Sequence, residues 1–240
     1  MLHVAVKLLS YEPRCVTDNA FANALLSRFV TQATTLYSHF FMSYNIHALF
    51  HLSSDVLRFG PLDNFSAYRF ENYYGKMKRH LKKNDKPLQQ LVKRLLETAQ
   101  NQTFVGQNSA DQIEFINSHS SNPIVENIFG IQFRSVKLPG IGHLRADDEA
   151  DNCVFLKDTS VVVIADFVKC SNRGVVVGKK YESQRDAYTY PCKSSVIGEY
   201  VVSSPSVFQS WDINDIMCKA VRLSTSASLD SFVVFPLERQ

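Results

Sequence analysis

Residues 44–97 read YNIHALFHLSSDVLRFGPLDNFSAYRFENYYGKMKRHLKKNDKPLQQLVKRLLE, and their spacing sets the class of the first half of the chain. From Tyr44 the apolar residues Ile46, Leu49, Phe50 and Leu57 recur at helical spacing until Gly60-Pro61 stops the run. A second helix is predicted to start near Tyr68, with Phe70, Tyr73, Tyr74, Met77 and Leu81 along one face. Its other faces carry Glu71 and a dense set of cations: Lys76, Lys78, Arg79, Lys82 and Lys83, with His80 among them. Asp85 can cap a third helix, with Pro87 in its first turn and Leu88, Leu91, Val92, Leu95 and Leu96 as its apolar face. The stretch predicts packed helices, one of them unusually basic.

Working outward, Thr17 or Asp18 can cap a long helix over 19–42, with Phe21, Leu25, Phe29, Leu36 and Phe40 on one face. Residues 1–16 have no decisive period. Residues 101–124 turn to Asn, Gln and Ser and read as a polar linker, with a short ordered piece around Ile113–Ile116. Residues 128–138 read as a strand, closed by Pro139-Gly140 and followed by an acidic loop with Asp147, Asp148, Glu149 and Asp151. From Cys153 the pattern is β. Short β-branched or aromatic runs recur at 153–157, 160–168, 174–178, 196–202, 216–223 and 231–235, separated by turn residues. The expectation is an α+β chain: an all-α domain over 1–100, a linker over 101–124, and a small antiparallel barrel or sandwich over 125–240.

The totals narrow the class. A chain of 240 residues that is 45% hydrophobic and 20% charged can bury a sizeable core. No apolar run reaches the roughly 18–20 residues that span a bilayer, so no membrane partner is expected. The five cysteines are scattered, with no CxxC pair, which argues against a zinc ribbon or a disulfide framework. Net charge is +3, but it is unevenly placed. Residues 1–100 hold 13 Lys and Arg against 7 Asp and Glu, and the remainder holds 13 against 16. A polyanion is therefore expected on the helical half.

Several constellations bear on chemistry. His47 and His51 are four residues apart, with Asp55 continuing their face, a geometry that can hold zinc. HALFH lacks the glutamate of HExxH, so packing histidines are the better reading and no metal is assigned. Cys192 in TYPCKSS has no histidine nearby in sequence, which leaves nucleophilic catalysis unsupported. The DDEAD loop lacks the glycine and spacing of an EF-hand. The row Lys76, Lys78, Arg79, Lys82, Lys83 can hold phosphates. No helix-turn-helix or zinc-finger pattern accompanies it, so the expected DNA binding is weak and non-specific.

NIHALFHL (45–52), FGPLDNFSAYRFEN (59–72), the lysine-rich helix and PLQQLVKR (87–94) together resemble the C-terminal part of CACTA-type (En/Spm-like) DNA transposases and their animal relatives. The resemblance spans 20–97 and, more loosely, 150–237. It implies a nuclear protein of transposase descent. It also places Glu71 where the third carboxylate of a two-metal phosphodiester site would stand, Mg²⁺ being a hard ion that prefers oxygen ligands. A glutamate in a first helical turn is equally well explained by the helix dipole. The two strand-borne aspartates such a site needs have no counterpart before Glu71, where only Asp18, Asp55 and Asp63 occur. No cofactor is therefore expected, Mg²⁺ entering only if the chain works within a larger, complete transposase. The sequence reading is a non-catalytic C-terminal fragment or domesticated derivative. Its alternatives are a relict without selected function, or a protein- or chromatin-binding module acting through the β-domain. The last would use an aromatic cage from residues such as Tyr181, Tyr188, Tyr190 or Trp211.

Overall fold

The computed structural model describes residues 1–82, 85–104, 112–121, 125, 128–171, 173–225 and 230–237. The chain divides into two compact units, Met1–Asn108 and Ser109–Gln240. The α+β reading holds: a helical region precedes an antiparallel sheet whose strands bond in a ring.

The first unit holds α1 (Leu2–Ser10), α2 (Arg14–Thr17), α3 (Asn19–Tyr37), α4 (Tyr44–Ala48), α5 (Leu52–Phe59), α6 (Leu62–Phe65), α7 (Tyr68–His80) and α8 (Pro87–Phe104). The segment without a decisive period holds α1 and most of α2, and the buried face of α1, Val4, Ala5, Leu8 and Leu9, packs chiefly on α3. Helix α3 ends at Tyr37 rather than running to 42, because Ser38 leaves the helix at φ +66°. Its buried face is Ala22, Leu25, Leu26, Val30 and Ala33, while Phe21, Leu36 and Phe40 are exposed. The alanines form the inner stripe because a small side chain lets two helix backbones approach. A polar clamp joins the helices behind it. Asn19 donates to the Cys15 and Ser53 carbonyls, each at 3.0 Å, and Ser53 Oγ donates to Asn19 Oδ1 at 2.6 Å.

Two further expectations are corrected here. The run from Tyr44 is not one helix: Leu49, Phe50 and His51 each donate to the carbonyl three residues back, a tightening that divides α4 from α5. The apolar stripe of α7 is not buried. Phe70 is 75% exposed, Tyr73, Tyr74 and Leu81 are also exposed, and Met77 is half-buried. Helix α7 packs mainly on α8, whose Leu88, Val92 and Leu96 are exposed in turn. A helical period says which face would be covered; it does not supply the cover. Helix α8 starts at Pro87, as its spacing predicts.

The second unit holds β1 (Glu114–His119), β2 (Ile131–Leu138), β3 (Gly142–Arg145), β4 (Cys153–Leu156), β5 (Val161–Lys169), β6 (Gly174–Asp186), β7 (Tyr200–Asp212), β8 (Ile216–Ser224) and β9 (Phe232–Leu237). The stretch 101–124, expected to be a linker, thus contains the end of α8 and the strand β1, with the boundary between units at 108/109. Strand β1 forms because Phe115 packs on Phe133 of β2, ring centroids 5.1 Å apart, along a regular antiparallel register. All pairings are antiparallel. Strands β4, β8, β9, β7, β6 and β5 bond in that order, and β5 pairs β4 again, closing a six-stranded ring. Strand β2 joins β5 beyond the end of its β4 pairing and carries β1 and β3.

Alternation along the strands makes two main cores, beside a small third cluster of Val168, Val175 and Val177. Cys153, Phe155, Val161, Tyr181, Val202, Cys218, Ala220 and Val234 point into the ring, drawn from all six of its strands. Val154, Leu156, Val162, Ile164, Phe167 and Val176 point outward and are covered by Val136, Leu138 and Leu144 from the β2–β3 hairpin. Strand β4 is buried on both faces for this reason, which is why CVFL reads as a continuous apolar run rather than an alternating one. Among the described residues no helix is long and apolar enough to cross a membrane.

Candidate functional site

The ring is irregular at one place. Strand β5 bulges at Ala165, between the pairs Ile164–Gly178 and Asp166–Val177. Strand β7 bulges where Ser206 and Val207 stand opposite the single residue Lys180, whose N–H is taken by Ser206 Oγ at 3.2 Å. Bulges loosen a ladder and re-aim side chains. Between these two, at the mouth of the barrel, a cavity of about 340 Å³ opens.

Its wall is apolar and aromatic: Val163, Ile164, Tyr181, Pro205, Phe208 and Phe232. Its polar groups are Lys179, Arg222 and Asp230. Lys179 and Tyr181 sit two residues apart on β6 and so share a face. Arg222 pairs with Val234 across β8 and β9, which makes Phe232 its diagonal neighbour. The guanidinium accordingly lies 4.7 Å from the Phe232 centroid, and Nη1 donates to Tyr181 Oη at 3.0 Å. Lys179 Nζ stands 4.6 Å over Phe208. Tyr181 is 3% exposed; burial pushes its phenol up, and the Arg222 bond and charge offset only part of that. The phenol therefore stays protonated at neutral pH. The result is a cavity with an apolar, partly aromatic wall, two held cations and one carboxylate at its edge.

Of the residues expected to form a site, Glu71 is exposed in the first turn of α7. Lys78, Arg79 and Lys82 are exposed, with no ion pair among the described residues, and Lys78 Nζ stands 5.1 Å over Tyr74. The Lys76 side chain and Lys83 lie outside the described residues. His47 and His51 stack edge-on with centroids 5.3 Å apart, both exposed, on either side of the α4–α5 break. Among the described residues no group of three or more His, Cys, Asp or Glu is placed to hold a metal ion. The acidic loop faces cations of its own unit: Arg145 meets Asp147 at 3.5 Å and Asp148 at 3.3 Å, and Lys219 meets Asp151. The four aromatics suggested for a cage are not brought together. Tyr181 lies inside the barrel, Trp211 packs on the outer core, Tyr188 donates to Glu199 Oε2 at 3.0 Å, and Tyr190 is exposed.

One constellation escaped the sequence reading. His119 Nε2 lies 3.0 Å from Asp166 Oδ1, and Ser121 Oγ lies 3.2 Å from His119 Nδ1. The order is that of a Ser-His-Asp relay. However, Gln132 Oε1 accepts from both the Ser121 N–H (2.9 Å) and its hydroxyl (3.2 Å), which ties the serine to β2. We read the group as a clasp holding β1 to β2 and β5. The available signal was Asp166 itself, a carboxylate inside the apolar run VVVIADFV.

The thiols are sorted by burial. Cys15, Cys153 and Cys218 are buried, and burial pushes the Cys153 thiol up to about 12. Cys170 and Cys192 are half-buried. Since the thiolate is the reactive form, a brief alkylation of the native chain should label Cys170 and Cys192 and spare the other three. Mass spectrometry showing Cys153 labelled as fast as Cys192 would contradict the barrel interior.

The fold and cavity define an antiparallel β-barrel domain with a mouth pocket. The chain belongs to the family described as Domain of unknown function (DUF8592), whose model matches residues 118–237, half of the chain and nearly all of the barrel unit. No curated protein matches the chain, and no solved structure does.

Proposed function

We propose that this chain is a transposase-derived, DNA-associated nuclear protein that holds duplex DNA weakly and without sequence preference through α7, and performs no phosphodiester chemistry on its own. The observation that carries the reading is the row Lys78, Arg79 and Lys82, solvent-exposed and without a carboxylate partner among the described residues. The resemblance of residues 45–94 to CACTA-type transposases supports it, as does the excess of basic charge in residues 1–100. Glu71 is the relict third carboxylate in this reading, without the two partners that metal-dependent cleavage needs. The exposed aromatics Phe70, Tyr73 and Tyr74 leave α7 accessible on more than one side.

Binding of this kind is mainly counterion release. Its dissociation constant is expected around 10⁻⁴–10⁻⁶ M at physiological salt, the affinity falling off steeply as salt rises. Replacing Lys78, Arg79, Lys82 and Lys83 together by Ser should flatten the salt slope by about 0.9 for each phosphate that is no longer neutralised. Helical circular dichroism should barely change. Fluorescence anisotropy on labelled duplexes of scrambled sequence reads both affinity and slope. If neither changes in the variant, α7 is a solvated face.

A further inference from the structure

The barrel-mouth cavity has a chemistry that α7 does not share. Two cations and one carboxylate give its polar rim a surplus of positive charge, which disfavours a cationic ligand such as a methylated lysine. Neither cation is loose: Arg222 is fixed by Tyr181 Oη and the Phe232 ring, and Lys179 rests over Phe208. A guanidinium held this way keeps further N–H donors in a planar fork suited to phosphate or carboxylate oxygens. Preorganised donors of this kind cost little to engage. The rest of the wall is apolar and partly aromatic, which a bare inorganic anion would leave uncovered. Asp230, exposed at the edge, is an acceptor that calls for a donor on the ligand, such as an amino or hydroxyl group. A cavity of about 340 Å³ lies at the small end of ligand pockets.

We propose that this cavity binds a single nucleotide unit, with its phosphate on Arg222 and Lys179 and its base against the apolar wall at Phe208 and Phe232. A nucleotide supplies a dianionic group, a flat ring that stacks on aromatic side chains, and ribose or exocyclic donors for Asp230. The site lies in the barrel unit and does not depend on α7.

The test is calorimetric titration of the full chain with each nucleoside monophosphate, and with short single-stranded oligonucleotides, at physiological salt. Saturable binding of at least one monophosphate is expected, weakened about tenfold or more in Arg222→Gln because a charge-assisted hydrogen bond is removed. Lys179→Gln, farther from the barrel interior, should weaken it several-fold with the thermal midpoint unchanged. The quadruple serine variant of α7 should bind the monophosphate as the parent does, which separates this site from duplex binding. If an oligonucleotide displaces the monophosphate and loses that ability in Arg222→Gln, the occupant is a nucleotide of a strand. If only the monophosphate binds, the occupant is a free nucleotide. Absence of binding by every monophosphate and oligonucleotide overturns the proposal. So does binding that both variants leave unchanged, or an aryl carboxylate such as benzoate binding as tightly.

Discussion

Replacing Gly178 by alanine is expected to destabilise the barrel unit by about 3 kcal/mol, at the upper end of what an added methyl costs in a packed interior. Gly178 lies on β6 between Ile164 of β5 and Gln209 of β7. A Cβ there would stand 2.3 Å from the backbone oxygen of Val163 and 3.0 Å from Val162 Cγ1. The oxygen belongs to a paired strand. It can retreat only if β5 and β6 part where β5 is already bulged, so the ring would loosen beside the cavity. Urea unfolding followed by the fluorescence of Trp211, the one tryptophan in the chain and a side chain packed on the outer core, reads the change. Gly75→Ala, in the helical unit, is the control and is read by helical circular dichroism. Nothing lies within 4 Å of its added Cβ, and in a helix the change should be neutral or stabilising by up to about 1 kcal/mol. A Gly178→Ala midpoint within error of the parent would mean that the strands are not this close.

The second large effect is expected at the clasp. Asp166 is 2% exposed; its Oδ1 accepts from the Phe167 N–H at 2.9 Å and meets His119 Nε2, while its Oδ2 is buried with no hydrogen-bond partner among the described residues. His119→Ala removes a partner from a buried carboxylate and should cost about 3 kcal/mol, more than the bond itself contributes. Asp166→Ala removes the carboxyl group along with its need for a partner. The double variant should therefore be less destabilised than the sum of the singles, with a coupling of about 1–2 kcal/mol in a double-mutant cycle. Strict additivity would mean that the two side chains do not interact in the folded chain.

Much of the fold was legible because period survives in sequence. The starts of α7 and α8, the strand β2 and the ring strands β4, β5, β8 and β9 lie where spacing and turn residues put them, whereas β6 runs on past 178 and β7 starts at Tyr200 and passes through Ser204-Pro205, which reads as a turn. What failed had physical causes. The face of α3 was read from its large aromatics, but the stripe that packs is built on Ala22 and Ala33, which a count of bulky residues passes over. The α7 stripe was legible as a pattern and yet stands exposed. Strand β1 was legible only as a short ordered piece around Ile113–Ile116 in a polar stretch, because an edge strand needs only one apolar face, here Phe115 against Phe133. Barrel closure depends on β5 pairing β6 over seven positions while also pairing β4, and no local pattern announces a strand with two partners. The cavity was legible least of all. Lys179 is far in sequence from Arg222 and Asp230, and only closure of the ring brings β6 to the mouth that the β8–β9 hairpin lines.

The central claim is that α7 is the face that meets DNA. It is tested most directly by recording backbone amide resonances of the full, isotope-labelled chain during titration with duplex DNA, first at low and then at higher salt. Perturbations are expected to concentrate between Tyr74 and Lys82, to be the same for unrelated duplex sequences, and to shrink together as salt rises. Amides of Tyr74–Lys82 that stay unmoved at a duplex concentration that saturates the chain would contradict the claim.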